Sequence, residues 1–418
     1  MSRAQRMTLN ERFVAVVFLG VLLSGAALLA DAPKFRTDAD GPVKADEKRD
    51  PKKKSDKPEW YQLVAGEFPP EGSAHAISGE LMQMDHLERR FQIRVDRNDS
   101  QDRGVWDLPL YATMLPYGSI YFHGAPAALQ DIPLGTHLRG LFYLQDPNDK
   151  TPLPAGPYNN RHTPEGDFRR CFRIEDDFSF HARQQQLWKI DAVDLDTKKL
   201  TATLLENGAA SGQPKIFDLQ TSTRVMKGDG FADLKALQAG QTVLFDLTWV
   251  TLYGPGRITD IWLDEPSRAL ATAQQLERNR NYTRERGLPG WVTAVEDEPQ
   301  IVTVTFFGNV DAKLFDELLI VDPNAPPPKE PPPTNDPRGG LAVACDSLLT
   351  YDPVNDRKTG GVFEVKKIPV EQGSSGVQIK LKMDMMLEGY RPKRVVRFFP
   401  PTWKVNALPK EEEFFGRE

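Results

Sequence analysis

Apolar and polar positions alternate with a period of two near the end of the chain, where Val377, Ile379, Leu381 and Met383 interleave with Gln378, Lys380 and Lys382. That period sends alternate side chains to opposite faces, so the segment predicts a strand with one buried and one wet face. Hairpins are predicted where such runs flank turn-forming residues. Gly79 to Arg94 reads as strand, turn at Asp85 to Arg90, and strand, and Ile190 to Leu205 reads the same way about a turn at Asp196 to Lys199. Trp291 to Val295 and Ile301 to Phe307 flank a third turn at Asp297 to Gln300, the last run being rich in β-branched and aromatic residues. Val362 to Val365 and Val395 to Phe399 complete the predicted strands.

Helical spacing is confined to two places. Pro266 suits a first helical turn, Leu270, Ala273 and Leu276 keep the spacing of one face, and Gly287 supplies a stop. This helix is expected to connect two units and to pack through Leu270 and Leu276. A shorter helix is expected over Asp177 to Leu187.

The first two hairpins belong to a longer internal repeat. An offset of 111 residues relates Asp85 to Asp196 and Trp106, Asp107, Leu108 to Phe217, Asp218, Leu219. Beyond a slip of six residues, Leu129, Ile132, Gly135 and Leu138 match Leu234, Leu237, Gly240 and Val243. A slip between matching blocks is what a variable loop between fixed elements produces. Each unit reads as a hairpin, a third strand, a short segment ending in glycine and a further strand, and Gly135 and Gly240 sit where positive φ is expected. A third unit begins at Gly290 and is interrupted by Pro326 to Pro328 and Pro331 to Pro333, an extended insertion without a core. This layout resembles the small OB-like barrel repeats of exported bacterial proteins, over roughly Ser78 to Met383. The resemblance implies architecture and compartment and no activity.

The expected fold is therefore mainly β, with about three small OB-like barrels in tandem, a connecting α-helix and a Pro-rich insertion. The expected layout is a leader over 1–30, a charged flexible linker over 31–58, barrels over 59–146, 187–264 and 288–404, connectors over 147–186 and 265–287, the insertion at 325–337, and an acidic tail over 405–418.

The leader decides the expected compartment. Arg3, Arg6 and Arg12 precede an uncharged stretch from Phe13 to Ala30 that ends in small residues, the order of a secretory signal peptide cleaved near Ala27 or Ala30. An uncleaved anchor over 13–30 is the competing reading, and both place the rest of the chain outside the cytoplasm in a periplasmic or secreted setting. The formal charge of −6 sets up no strong field over the whole molecule. The two cysteines, Cys171 and Cys345, are far apart and show no metal or redox spacing, so a bridge and two buried thiols both remain open.

Candidate chemistry is sparse. His75, His86, His123, His137, His162 and His181 include no pair at metal-ligand spacing on one element. Gly373-Ser374-Ser375-Gly376 lacks the spacing of a nucleophile turn and reads as a hairpin loop. Asp96, Asn98, Asp99 and Asp102 offer calcium-type oxygens, but Gln101 and Asp107 stand where an EF-hand needs glycine and glutamate. No cofactor motif is present.

The local charge imbalance lies between Lys366 and Lys404, where nine lysines and arginines face three acids. Tyr390, Arg391, Lys393, Arg394, Arg397 and Trp403 are the ligand-binding candidates there, since rings stack on sugars and cations neutralise polyanions. Outward positions of amphipathic strands, with the aromatics in a core, explain the same residues without a ligand. Three readings follow. The first is an exported, non-catalytic scaffold or binding protein of the envelope, with proteins, glycans or polyanions as candidate partners. The second is a polyanion or glycan binder using the basic aromatic face. The third is a hydrolase whose site is assembled across units from acids, Glu175, Asp176 and Asp177 among them, and from His123 or His181.

Overall fold

A computed structural model of the chain describes residues 63–403, apart from 65, 88, 97–109, 144–169, 252, 253, 319–340 and 345–356. The leader, the charged linker, the Pro-rich insertion, the acidic tail, Cys345 and the Asn98 to Asp102 loop lie outside the described residues. The rest is mainly β. No helix among the described residues is long and apolar enough to cross a membrane.

The first barrel is a ring of β1 (His75–Asp85), β2 (Arg90–Val95), β3 (Leu110–Phe122), β6 (Arg170–Asp176) and β5 (His137–Tyr143), with β5 closing on β1. A short strand β4 (Ala125–Pro126) extends β3. The second repeats this order in β7 (Gln186–Asp194), β8 (Lys199–Glu206), β9 (Ala209–Lys227), β12 (Arg257–Trp262) and β11 (Thr242–Thr248), with β10 (Gly230–Ala232) added to β9. In each ring the third and fifth strands pair in parallel and all other neighbours are antiparallel, an OB-like Greek-key closure that leaves no open edge. The first ring takes its fifth strand, β6, from the segment expected to be a connector. The turn-bounded alternation that marks the other strands does not flag Arg170–Asp176, because five of its seven residues are buried.

The third barrel closes differently. Its ring runs β13 (Leu288–Glu296), β14 (Ile301–Phe307), β17 (Ser374–Met383), β16 (Arg357–Lys367), β15 (Leu341–Ala344) and β18 (Val395–Phe399), antiparallel throughout. It still shares two backbone devices with the others. The residue before the second strand has positive φ in every barrel, Arg89, Lys198 and Gln300, and its carbonyl accepts from Met114, Leu219 and Met383 respectively. The residue closing the turn ahead of β5, β11 and β18 also has positive φ, and it is Gly135, Gly240 and Lys393. Its amide donates to Leu81, Ile190 and Val292, each beside a bulge in the first strand of its barrel. Lys393 is thus the third-barrel counterpart of the two repeat glycines.

Two helices join these rings, α1 (Asp177–Arg183) and α2 (Glu265–Arg286). Asp264 caps α2 in a reciprocal box with Ser267, Pro266 lies in its first turn, and Gly287 ends it at φ 81°. The expected packing through Leu270 is corrected: Leu270 is exposed, and the buried positions of α2 are Ser267, Ala271, Gln275, Asn279, Thr283 and Arg286. Ala271 joins Phe178, Leu244 and Trp262 in a small apolar cluster, and the rest of the stripe is polar, with Gln275 bonding Asp131 and Pro126 O of the first barrel. Gln275 donates to Asp131 (3.0 Å), Arg280 pairs with Asp311, and Arg284 pairs with Glu317 (2.7 Å), so the helix ties the first barrel to the third. Tyr117 of the first barrel packs on Trp291 of the third, ring centroids 4.9 Å apart, and Asn309 bonds both Ile120 N and Ala127 O.

Candidate functional site at the seam of the first two barrels

Asp176 and Asp177 are adjacent in sequence, at the point where β6 turns into α1, and their side chains serve two different clusters. Asp176 is the N-cap of α1. One of its oxygens accepts from Ser179 N (2.8 Å) and the other from His123 N (2.9 Å). His123 reaches the seam through a tight turn: Phe122 pairs with Ala125, leaving His123 (φ 50°) and Gly124 (φ 80°) as the central residues. Two positive φ values define the mirror-image turn that suits hairpins. The imidazole stacks on Phe122 and meets the ring of Trp262 edge-on, 4.8 Å between centroids, while Thr272 of α2 donates to His123 O (2.7 Å).

Asp246 completes this cluster from the second barrel. It is buried in the strand Thr242–Thr248 among Val243, Leu244, Phe245 and Leu247, and one oxygen accepts from Phe178 N (2.9 Å). Its other oxygen lies 3.6 Å from His123 Nε2. One donor atom each from His123, Asp176 and Asp246 lies within 4.8 Å of the others.

Burial raises the Asp176 carboxyl well above the carboxylate range, and the neighbouring Asp246 adds to that. Asp246 is pushed up to about 8, chiefly by burial, with the charges of Asp177 and Asp260 adding to it. Burial also lowers His123, so its imidazole is neutral at neutral pH and keeps a lone pair to offer. Asp260, opposite Asp246 on β12, has its own cation in Arg224 at 2.6 Å.

The second cluster is balanced. His137 donates from Nδ1 to Asp177 and from Nε2 to Asp96, both at 2.8 Å, and Arg139 Nε donates to Asp177 at 3.0 Å. Burial by itself would discharge His137, but the two carboxylates outweigh it and raise the imidazole to about 10. Burial opposes the charge on Asp177 as well, and His137 with Arg139 holds it well below the ordinary range. A charged, fully bonded network of this kind staples β5 to α1.

Of the two histidines named from the sequence, only His123 joins the acids at the seam. His181 bonds Gln186 (2.8 Å), and burial lowers it to about 4. The basic aromatic residues of the third barrel are dispersed. Tyr390, Arg397 and Trp403 are buried, Arg397 donating to Arg286 O (3.0 Å) and Trp403 to Glu317 (2.5 Å). Arg391 pairs with Asp297 (2.5 Å), Lys393 holds the left-handed turn, and Arg394 is exposed. Sequence reasoning missed Asp246, although one acid inside an otherwise apolar strand is itself a signal, since aspartate is rarely buried without a partner.

No family model matches the chain, and no curated protein matches it. Among solved structures, residues 10–88 of a tryptophan-to-alanine variant of CusF from Escherichia coli with Cu(II) align at 16% identity. The alignment covers 19% of this chain and 90% of that one with a TM-score of 0.14, too low to carry an argument about either fold or ligand.

Proposed function

We propose that this chain is an exported, non-catalytic binding protein of the cell envelope that takes a divalent metal ion on His123, Asp176 and Asp246. The carrying observation is the convergence of three ligand-type atoms within 4.8 Å, contributed by the β3–β4 turn, the end of β6 and the middle of β11. A nitrogen and two carboxylate oxygens suit Zn²⁺ or Mn²⁺, and two buried carboxylates with no cation of their own gain most from a double positive charge. Only the His123 side chain is part-exposed, at 23%, against 4% for Asp246. An ion reaches such a site where the larger substrate of a hydrolase does not, so binding is preferred to catalysis.

Zinc titration of the purified chain by calorimetry tests this reading. Saturable binding at one ion per chain that is lost in His123→Ala supports it; absence of zinc and manganese binding to the wild type at micromolar concentration overturns it. Export is tested separately by N-terminal sequencing of the mature protein, which should begin after Ala27 or Ala30.

A further inference from the structure

The three barrels are not joined alike. The first and third share one apolar core, in which Leu115, Tyr117 and Phe172 of the first pack with Trp291 and Phe307 of the third. Gln372 of the third barrel also donates to the Tyr143 hydroxyl of the first (3.2 Å). The second barrel keeps a core of its own around Trp188, Phe217, Phe245 and Ile261, and among the described residues none from the other two barrels enters it.

What meets the second barrel is small by comparison. Phe178 of α1 and Ala271 of α2 form an apolar cluster with Leu244 and Trp262, and Phe178 N donates to Asp246. The Arg94 guanidinium of the first barrel lies over the Trp249 ring, 4.4 Å from its centroid. Two units that share no core and meet through a small, partly polar patch move relative to one another unless something further fixes them. The chain enters the second barrel through Gln185, just past α1, at φ 57°. A residue outside glycine is uncommon there, and residues at the ends of elements are where such motion is absorbed.

The metal cluster lies on this joint. His123 and Asp176 belong to the first barrel and Asp246 to the second, and their donor atoms lie within 4.8 Å of one another. Apolar contact is non-directional and tolerates sliding, whereas zinc bonds of about 2.0–2.2 Å to nitrogen and oxygen do not. All three residues can therefore hold one ion only when the second barrel is docked in a single way. A docking that binding requires is in turn stabilised by binding, since the linkage is reciprocal. We infer that the ion is a clasp that fixes the second barrel in one orientation against the body formed by the first and third, so that metal supply sets the arrangement of the barrels. This rests on the metal reading of His123, Asp176 and Asp246.

The test uses the full exported chain with spin labels on Ile216→Cys in the second barrel and Lys366→Cys in the third, both exposed strand positions. Cys345→Ser removes a competing thiol, and Cys171 is buried. Double electron–electron resonance reads the distance between the labels with and without zinc, and calorimetry on the same protein reads zinc uptake. Zinc should collapse a broad distance distribution to one narrow peak. His123→Ala keeps the bond from Phe178 N to Asp246 and should leave the distribution broad with zinc present; circular dichroism checks that it folds. A distribution equally narrow with and without zinc, or one that stays broad while calorimetry records one ion bound, overturns the clasp and leaves the metal site in place. Failure of the wild type to take up zinc overturns the metal reading, and the clasp with it.

Discussion

Asp176 and Asp177 share a backbone, a degree of burial and a helix N-terminus, yet they end in opposite electrostatic states. Asp177 faces His137 and Arg139 and stays ionised. Asp176 faces Asp246, another carboxyl, and a histidine that burial keeps neutral. The lesson is that burial alone assigns no role. A buried acid with cations in contact is a structural staple, whereas a buried acid without them raises the free energy of the fold until a proton or a metal ion joins it.

The largest effect should come from breaking the balanced side. Asp177→Asn leaves the His137 and Arg139 charges poorly paired and should cost about 3–5 kcal/mol, read as a lower midpoint in urea unfolding. The unbalanced side should respond with the opposite sign. Asp246→Asn keeps an acceptor for Phe178 N, adds a donor toward Asp176 and removes the ionisation penalty, so a gain of about 1–3 kcal/mol at pH 7.5 is expected.

The sign follows from linkage. The folded Asp246 carboxyl titrates at about 8 against an ordinary 3.8, so as pH rises between those values the wild type loses a contribution to stability that the variant has no carboxyl to lose. The gain should vanish near pH 4.

His137 gives a third test of similar or smaller size. Its folded value of about 10 lies above 6.5, so its contribution is fully present below pH 6.5 and is lost as pH rises toward 10. Replacing it in His137→Gln should flatten the alkaline limb of the stability profile. Thr272→Val, which removes the bond to His123 O, should cost about 1 kcal/mol. Arg391→Ala, at a surface ion pair, should change stability by no more than about 0.5 kcal/mol.

Much of the fold was legible in the sequence because it rests on local pattern. The hairpin at Asp297 to Gln300, the strand Val395–Phe399 and the stop at Gly287 follow from alternation and turn chemistry, and Gly135 and Gly240 have the positive φ their position implied. The third repeat was harder to see because Lys393 does the work of a glycine, and the ring of the third barrel closes in a different strand order. The helix α2 misled for a physical reason: Leu270 and Leu276 have the right spacing, but the surface that α2 meets offers backbone carbonyls and a carboxylate, at His123 and Asp131 among others, which hydrogen-bonding side chains satisfy better.

The candidate site was only half legible. His123 and Asp176 were among the named residues, but their meeting with Asp246, seventy residues beyond Asp176, depends on how two barrels dock, and no local pattern encodes that. The basic aromatic residues near the end of the chain show the converse. Their clustering in sequence separates in space, with Tyr390, Arg397 and Trp403 drawn inward by burial and hydrogen bonds.

The most direct test is the thermal unfolding of the wild type and Asp246→Asn at pH 7.5, each with and without zinc. The wild type should be the less stable of the two without metal and should rise with zinc, as ligand linkage requires, while Asp246→Asn should be more stable and unmoved. A variant that gains as much from zinc as the wild type, or that is destabilised without it, would contradict the account of an unbalanced metal-binding seam.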